Sequence, residues 1–173
     1  MLKAIRPTPA AVVWVAIFLA VLAWSAWRPH DYYTWALEVS PAVVALLVLV
    51  TTREAFPLTG LAYLLVLIHA VILMVGGHYT YAEVPLGEWF QAWTDGDRNN
   101  YDKLGHFAQG FIPAIVSREV LMRLGVVQSR RWLSFLVVAI CLAISAFYEL
   151  LEWWVALLSD TAAESFLGTQ GYV

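Results

Sequence analysis

The sequence has little charge and almost no cysteine. Only 13% of its 173 residues are Asp, Glu, Lys or Arg, whereas 61% are hydrophobic, well above the roughly 45–50% of soluble domains. The single cysteine, Cys141, excludes an internal disulfide and a multi-cysteine zinc site. A net charge of −3 gives no broad basic surface, so no nucleic-acid partner is expected. With a mean hydropathy of +0.70, the chain is expected to be an integral membrane protein of one domain.

Signatures of several enzyme classes are also missing. The sequence contains no nucleotide-binding glycine loop, no GxSxG nucleophile elbow, no HExxH pair and no CxxC. Any functional signal must therefore come from polar residues inside apolar segments, where a lipid environment makes them costly.

Five segments are expected to cross the membrane, because a spanning helix needs roughly 20 mostly apolar residues. They are 9–27, 33–52, 57–76, 104–124 and 132–158, within a single domain of residues 1–173. The first is interpreted as a signal anchor rather than a cleaved signal peptide, and Gly76-Gly77 is interpreted as the stop of the third. The sequence therefore predicts an all-α, polytopic transmembrane bundle.

The only long connection, over residues 78–103, is rich in aromatic and acidic residues. Trp89, Phe90 and Trp93 are typical of a short interfacial helix, at about 86–94, that lies at the level of the lipid head groups. A plain surface loop is the alternative interpretation.

Basic residues indicate the orientation, because Lys and Arg in short loops are retained in the cytoplasm. Of the ten basic residues, seven fall on the side of the N-terminus and three on the other. The seven are Lys3, Arg6, Arg53, Arg118, Arg123, Arg130 and Arg131, and the three are Arg28, Arg98 and Lys103. The N-terminus is therefore expected in the cytoplasm and Val173 outside.

This orientation brings several ionisable residues to one shallow layer near the outer face. The residues are Glu38, His106, Glu149 and Glu152, and Tyr79 and Tyr81 follow the third helix at the same face. Ionisable groups in a span cost about 2.5–3.5 kcal/mol each on insertion scales. Their convergence predicts an enclosed polar pocket at the outer leaflet.

Asp102, His106 and Gln109 share one helix face, because they are separated by four and three residues. A carboxylate one turn before an imidazole can fix its tautomer, as a general base or a metal-ligating histidine requires. Alternatively, Asp102 stabilises the helix start and His106 is hydrogen-bonded in the bundle. We expect the His106 ring to lie within about 10 Å of Glu149 or Glu152, the range of a direct or water-bridged contact.

Glu149 and Glu152 are three residues apart, and two such carboxylates repel unless they share a proton or a cation. Asp102, His106, Glu149 and Glu152 are therefore candidate catalytic residues, with Glu152 favoured over Glu149. His106, Glu149 and Glu152 are candidate ligands of a divalent metal ion, the cofactor that such a set would hold. Interfacial glutamates that reach head groups and water are the alternative.

Other polar residues in the spans receive structural interpretations. Pro41 and Pro113 each free a helical carbonyl beside the acidic layer. His69 is interpreted as a hydrogen-bonded histidine of the bundle, and Glu119 and Arg123 as anchors at the cytoplasmic end.

The sequence contains the runs GGHYTYAEVPLG (76–87), RNNYDKLGHFAQGFIPAIVSRE (98–119), ISAFYELLEWW (144–154) and FLGTQG (166–171). These four runs resemble the YjdF-like family of uncharacterised bacterial inner-membrane proteins. The resemblance runs from Trp35 to the C-terminus, and the DKLGHF pattern also resembles, more weakly, the VanZ-like group associated with glycopeptide resistance and the cell envelope. It implies a multi-pass protein of the bacterial inner membrane but brings no biochemical activity.

The family's polar motifs fall on residues of both the candidate catalytic set and a candidate substrate-binding set. The latter contains Glu38, Tyr79, Tyr81, Arg98, Tyr101 and Gln109, and the motifs also include Asn99, Arg118, Glu119 and Gln170. Related sequences continue with an Asp-containing stretch and one more helix, so the chain is expected to lack a final helix and an acid opposite His106.

Three functions remain open at this point. The polar pocket acts on, or binds, an envelope lipid or lipid-linked molecule; it forms part of a proton- or ion-coupled transport path; or it only holds together a non-catalytic partner or assembly factor. Beyond the lipid bilayer itself, the sequence does not identify a protein partner.

Overall fold

The computed structural model describes residues 8–94, 96 and 98–158, and six α-helices occupy most of these ranges. They are α1 (Pro9–Ser25), α2 (Tyr32–Thr52), α3 (Gly60–Tyr79), α4 (Pro85–Thr94), α5 (Tyr101–Arg123) and α6 (Arg130–Ala156), with a 3₁₀ helix at Tyr81–Glu83. These ranges contain no strand, so the prediction of an all-α fold is confirmed. Lys3, Arg6, Gln170 and Val173, on which parts of the sequence argument rest, lie outside the described residues.

Three of these helices, α2, α3 and α6, are both long and apolar enough to cross a membrane. Helix α1 is apolar but only 17 residues long, and α5 has 23 residues but includes several polar ones. Large apolar side chains such as Leu47, Leu61 and Phe135 are more than half exposed, as expected of surfaces that contact lipid. The architecture is that of a helical membrane bundle, and the number of five spans stays a prediction.

Hydroxyl and carboxylate side chains begin the first three helices. Thr8, Asp31 and Thr59 each accept a hydrogen bond from a backbone N–H in the first turn that follows, which supplies a partner that the helix itself lacks. The backbone N–H of Thr34 lowers the pKa of Asp31 below its usual value. Within α2, Pro41 cannot donate to the carbonyl of Leu37, which instead accepts from the Ser40 hydroxyl at 2.8 Å.

The buried apolar core lies between α1, α2 and α3. It contains Phe18, Val39, Ala42, Leu67, Ala70 and Met74. Alanines at the contact let the backbones approach closely, as is usual between helices in a membrane. Helix α3 packs against α1, α2 and α5, whereas α6 packs against α5. The bundle therefore consists of a three-helix unit, α1–α3, and a helix pair, α5–α6, joined where α3 meets α5.

Hydrogen bonds show which helix ends lie together. The His78 ring, near the end of α3, donates through Nδ1 to the carbonyl of Ser25 at 2.9 Å, and the His78 backbone carbonyl accepts from the backbone N–H of His30 at 2.9 Å. The Tyr101 hydroxyl, at the start of α5, donates to the carbonyl of Ile72 at 3.2 Å. We call this the His78 end of the bundle.

At the opposite end, which we call the Glu119 end, one carboxylate joins two helices. Glu119 of α5 accepts from the N–H and hydroxyl of Thr59, at 2.8 and 2.7 Å, and from Arg123 at 2.7 Å. Arg123 also donates to the carbonyl of Pro57 and lies over the ring of Phe56, 4.2 Å from its centroid. Glu119 was interpreted from the sequence as an anchor; in the structure it also links α5 to the start of α3.

We expect the substitution Glu119→Ala to lower the stability of the protein. It leaves the Thr59 N–H and the Arg123 guanidinium without their carboxylate partner, which should lower the free energy of unfolding by about 1–3 kcal/mol. Thermal unfolding in detergent micelles measures the effect. Glu54→Ala, which removes an exposed carboxylate just after α2, is the control and should leave the melting temperature unchanged. Equal melting temperatures for the two variants would contradict this role of Glu119.

Candidate functional site

A cavity of about 370 Å³ lies between α2, α3, α5, α6 and the 3₁₀ helix. It extends from the His78 end down to His69, nine residues or about 13 Å before His78 along α3. Seven of the predicted site residues line it: Glu38, Tyr81, Arg98, Asp102, His106, Gln109 and Glu152. Pro41 and Pro113, whose positions beside the acidic layer the sequence indicated, line it as well.

Glu38 is the most enclosed acid of the cavity. Its exposed fraction is only 7%, because α2 lies against Gly77 of α3, where an added Cβ would come within 3.1 Å of the Glu38 side chain. The Tyr148 hydroxyl donates to Glu38 Oε2 at 3.4 Å. Among the described residues, no basic side chain forms an ion pair with Glu38. The fold thus holds a carboxyl group inside the bundle with a phenol as its partner.

Tyr81 forms the wall between α3 and α5. An added Cβ at Gly76 of α3 would lie 2.5 Å from its ring, and one at Gly105 of α5 would lie 2.8 Å from it. Burial, with the charges of Glu38 and Glu152 as further causes, raises the pKa of Tyr81 well above its ordinary value. Tyr81 therefore remains a neutral phenol that can donate a hydrogen bond.

The interpretation of Gly76-Gly77 as a helix stop was wrong, because α3 continues to Tyr79. The two glycines instead admit the Tyr81 ring and the Glu38 side chain. The chain reverses at Thr80, whose φ of +62° lies in a region that β-branched residues rarely adopt. This reversal carries Tyr81 back between the helices.

His106 lies close to Glu149, as the sequence predicted. His106 Nδ1 is 4.0 Å from Glu149 Oε1, which confirms the expected contact between α5 and α6. Both side chains are more than half exposed, and Glu149 is not part of the cavity lining. The pair therefore lies at the rim of the cavity rather than within it.

Glu152 faces a different partner from Glu149. It lines the cavity together with Glu38, on α2, and with Tyr148, one turn earlier on α6. The structure therefore places Glu152 in the same cavity as Glu38, whereas Glu149 lies outside its lining. In the described ranges, no three His, Cys, Asp or Glu side chains are clustered as a metal ion would require, so the predicted ligand set of His106, Glu149 and Glu152 gains no support.

Asp102 pairs with Arg98, four residues earlier, through a hydrogen-bonded ion pair. The expectation that Asp102 orients His106 is not met in the structure, because the permanently charged guanidinium is the stronger partner for a carboxylate than a neutral imidazole. Both Asp102 and Arg98 line the cavity. They contribute a positive and a negative group close to its mouth.

Two predicted substrate-binding residues lie outside the cavity lining. Tyr79 packs against His78, with ring centroids 4.6 Å apart, and near Trp24. Tyr101 donates to Ile72 and packs against Tyr81, with centroids 5.7 Å apart. Of the two, only Tyr101 has its ring packed against Tyr81.

Sequence reasoning missed three polar residues of the lining: His69, Asn99 and Tyr148. The spacing of Tyr148, one turn before Glu152, was the available signal. Asn99 donates to the carbonyl of Val84 at 2.9 Å and accepts from the N–H of Tyr101 at 3.0 Å. The interpretation of His69 as a hydrogen-bonded bundle histidine is not met, because its buried Nε2 has no partner among the described residues.

Comparison with known proteins gives a membrane family without a described activity. Residues 10–173 match the family described as "Predicted membrane protein (DUF2238)". The chain is 50% identical over 151 residues to the "Inner membrane protein YjdF" of Escherichia coli (strain K12), across 87% of this chain and 72% of that protein. No solved structure matches the chain.

We expect Gly105→Ala to destabilise the protein, and Gly76→Ala to do so more strongly, because each new methyl group overlaps the Tyr81 ring. Overpacking of this kind costs about 1–3 kcal/mol. Gly110→Ala on the same helix is the matched control, because an added Cβ meets nothing within 4 Å there. It should be neutral or stabilise the helix by up to about 1 kcal/mol. Melting temperatures in detergent test the order, and equal values for G105A and G110A would refute this placement of Tyr81.

Proposed function

Because this chain belongs to the DUF2238 family of predicted membrane proteins, we propose that its cavity binds the polar head of an envelope lipid or lipid-linked molecule. The chain is a multi-pass membrane protein related to an inner-membrane protein. A cavity of about 370 Å³ falls in the usual range for small-ligand sites, roughly 300–1,000 Å³. Its position among membrane helices favours a ligand that arrives from the bilayer.

The observation that carries the proposal is the pair of carboxyl groups on facing walls. Glu38 and Glu152 both line the cavity, and neither forms an ion pair with a residue of the described ranges. Two carboxylates that face each other in a low dielectric repel unless a proton or a cation lies between them. A ligand that brings an ammonium group meets this requirement.

The remaining lining residues favour a head group that also carries a phosphate. Arg98 is half exposed beside Asp102, so its guanidinium has N–H groups to offer to a second anion. An ammonium group against Glu38 and Glu152 and a phosphate near Arg98 describe a zwitterionic aminoalkyl phosphate head. Phosphatidylethanolamine is the common lipid with this chemistry and is the probe that we choose.

A second candidate, a proton-coupled path, is favoured by His69. His69 lines the deep part of the cavity, towards the middle of α3, and its buried Nε2 has no partner among the described residues. Imidazole and carboxyl groups that share one cavity are the groups from which proton relays are built. Lipid binding ranks first because Glu119 and Arg123, the ionisable pair at the Glu119 end, do not line this cavity.

We propose further that the His78 end faces the extracytoplasmic side. Arg53, Arg118, Arg123, Arg130 and Arg131 lie towards the Glu119 end, against Arg28, Arg98 and Lys103 at the His78 end. The excess of basic residues is typical of the cytoplasmic side.

We expect Glu152→Gln to weaken the binding of phosphatidylethanolamine about tenfold or more, because one charge-assisted hydrogen bond is worth about 1.5–3 kcal/mol. Native mass spectrometry of the purified protein with added lipid measures the bound fraction, and phosphatidylglycerol, which has no ammonium group, tests the role of that group. Removing the repulsion with Glu38 should leave the melting temperature unchanged or raise it.

Glu54→Gln, which lies outside the cavity, is the control and should bind the lipid like the unaltered protein. If Glu152→Gln is destabilised but binds phosphatidylethanolamine normally per folded molecule, the carboxyl group only holds the bundle together. That outcome would refute the binding proposal and favour the partner or assembly function.

The orientation predicts the result of reporter fusions. Alkaline phosphatase, which is active only outside the cytoplasm, should be active when fused within the connection after α4 and inactive when fused at Gln128, between α5 and α6. The reverse pattern would overturn the orientation while leaving the cavity itself unchanged.

A further inference from the structure

Helix α4 carries a continuous stripe of exposed apolar side chains. Leu86, Trp89, Phe90 and Trp93 follow the spacing i, i+3, i+4, i+7, which places them on one helix face. Their exposed fractions are 59%, 66%, 46% and 73%. The rings of Trp89 and Trp93 are stacked, with centroids 6.4 Å apart. This face has no partner among the described residues of the bundle.

The other side of α4 is seated on the rim of the cavity. Gly87 is buried in the structure, and an added Cβ there would overlap the side-chain amide of Asn99. Asn99 in turn donates to the carbonyl of Val84, directly before α4, and lines the cavity. Helix α4 is therefore fixed to the mouth of the cavity through a glycine that permits close contact.

Exposed aromatic residues mark the level of the membrane interface at this end. They lie at the end of α1, the start of α2 and the end of α6: Trp24, Trp27, Tyr32, Tyr33, Trp153 and Trp154, each more than 40% exposed. Tryptophan and tyrosine gather where the hydrocarbon meets the head groups. Helix α4 follows α3 at the same end, and its ten residues, about 15 Å long, are too short to span a bilayer.

We propose that α4 lies parallel to the membrane surface, with Leu86, Trp89, Phe90 and Trp93 inserted among the lipids, and holds the mouth of the cavity at the level of the head groups. The occupant of this face is lipid rather than a protein, because the stripe continues the aromatic girdle of the neighbouring helix ends. Amphipathic helices with bulky rings on one face bind membranes in this manner. The inference concerns a surface and does not depend on which ligand enters the cavity.

Spin labels on single cysteines test the proposal in the full chain, with C141A as the background. W89C and W93C carry the label on the stripe, and E88C carries it on the opposite face as the matched control. The labelled proteins are placed in vesicles of phosphatidylcholine and phosphatidylglycerol, which contain no phosphatidylethanolamine. Collision with oxygen reports contact with the bilayer, and collision with a water-soluble nickel chelate reports exposure to water.

The labels of W89C and W93C should collide several-fold more with oxygen than with the nickel chelate, and the label of E88C should show the reverse. If either tryptophan variant fails to fold, L86C samples the same stripe. If the labels at Leu86, Trp89 and Trp93 all collide more often with the nickel chelate than with oxygen, the proposal is overturned and a protein partner is favoured for this face. Because no cavity ligand is present, this result stands apart from the lipid-binding experiment on Glu152→Gln.

Discussion

The ring of Tyr81, held between Gly76 and Gly105, is the contact on which the rest of the structure depends. It sets the separation of α3 and α5, and thereby the distance between the three-helix unit and the helix pair. Without the ring, the two glycine surfaces would allow the helices to close on each other, as small residues do in membrane bundles. The positive φ of Thr80 is a local backbone strain, of order 1–3 kcal/mol, that the packing of this ring offsets.

The acidic side chains at the two ends of the bundle have different surroundings. At the Glu119 end, one carboxylate accepts three hydrogen bonds and joins an arginine, so its charge is fully satisfied. At the His78 end, Glu38 receives one long hydrogen bond from Tyr148, and Glu152 lines the same open space. The contrast is between a carboxylate that ties two helices together and carboxylates that border a cavity.

The sequence predicted the helices and seven of the residues that line the cavity, because hydropathy locates a span and depth follows from residue position along it. It did not predict which way each acid faces. Residues three apart are about 60° apart around a helix, so Glu149 and Glu152 can lie on either side of the line where α6 meets α5. Asp102 was assigned to His106 because it precedes His106 by four residues, about one helical turn. Arg98 precedes Asp102 by the same number of residues and is the partner that Asp102 has in the structure. The sequence identified Tyr81 as a candidate binding residue. Its position between α3 and α5 depends on the turn at Thr80, and the spacing of residues along the helices does not predict that turn.

The cavity walls come from both sides of the contact between α3 and α5: Glu38 is on α2 and Glu152 is on α6. Any molecule that bridges these two acids stabilises the assembled bundle by its own binding free energy. By the same thermodynamic linkage, anything that loosens the joint between α3 and α5 lowers the affinity of the cavity for its occupant. Under the proposed function, assembly of this membrane protein and occupancy of its cavity are thus two readouts of a single equilibrium.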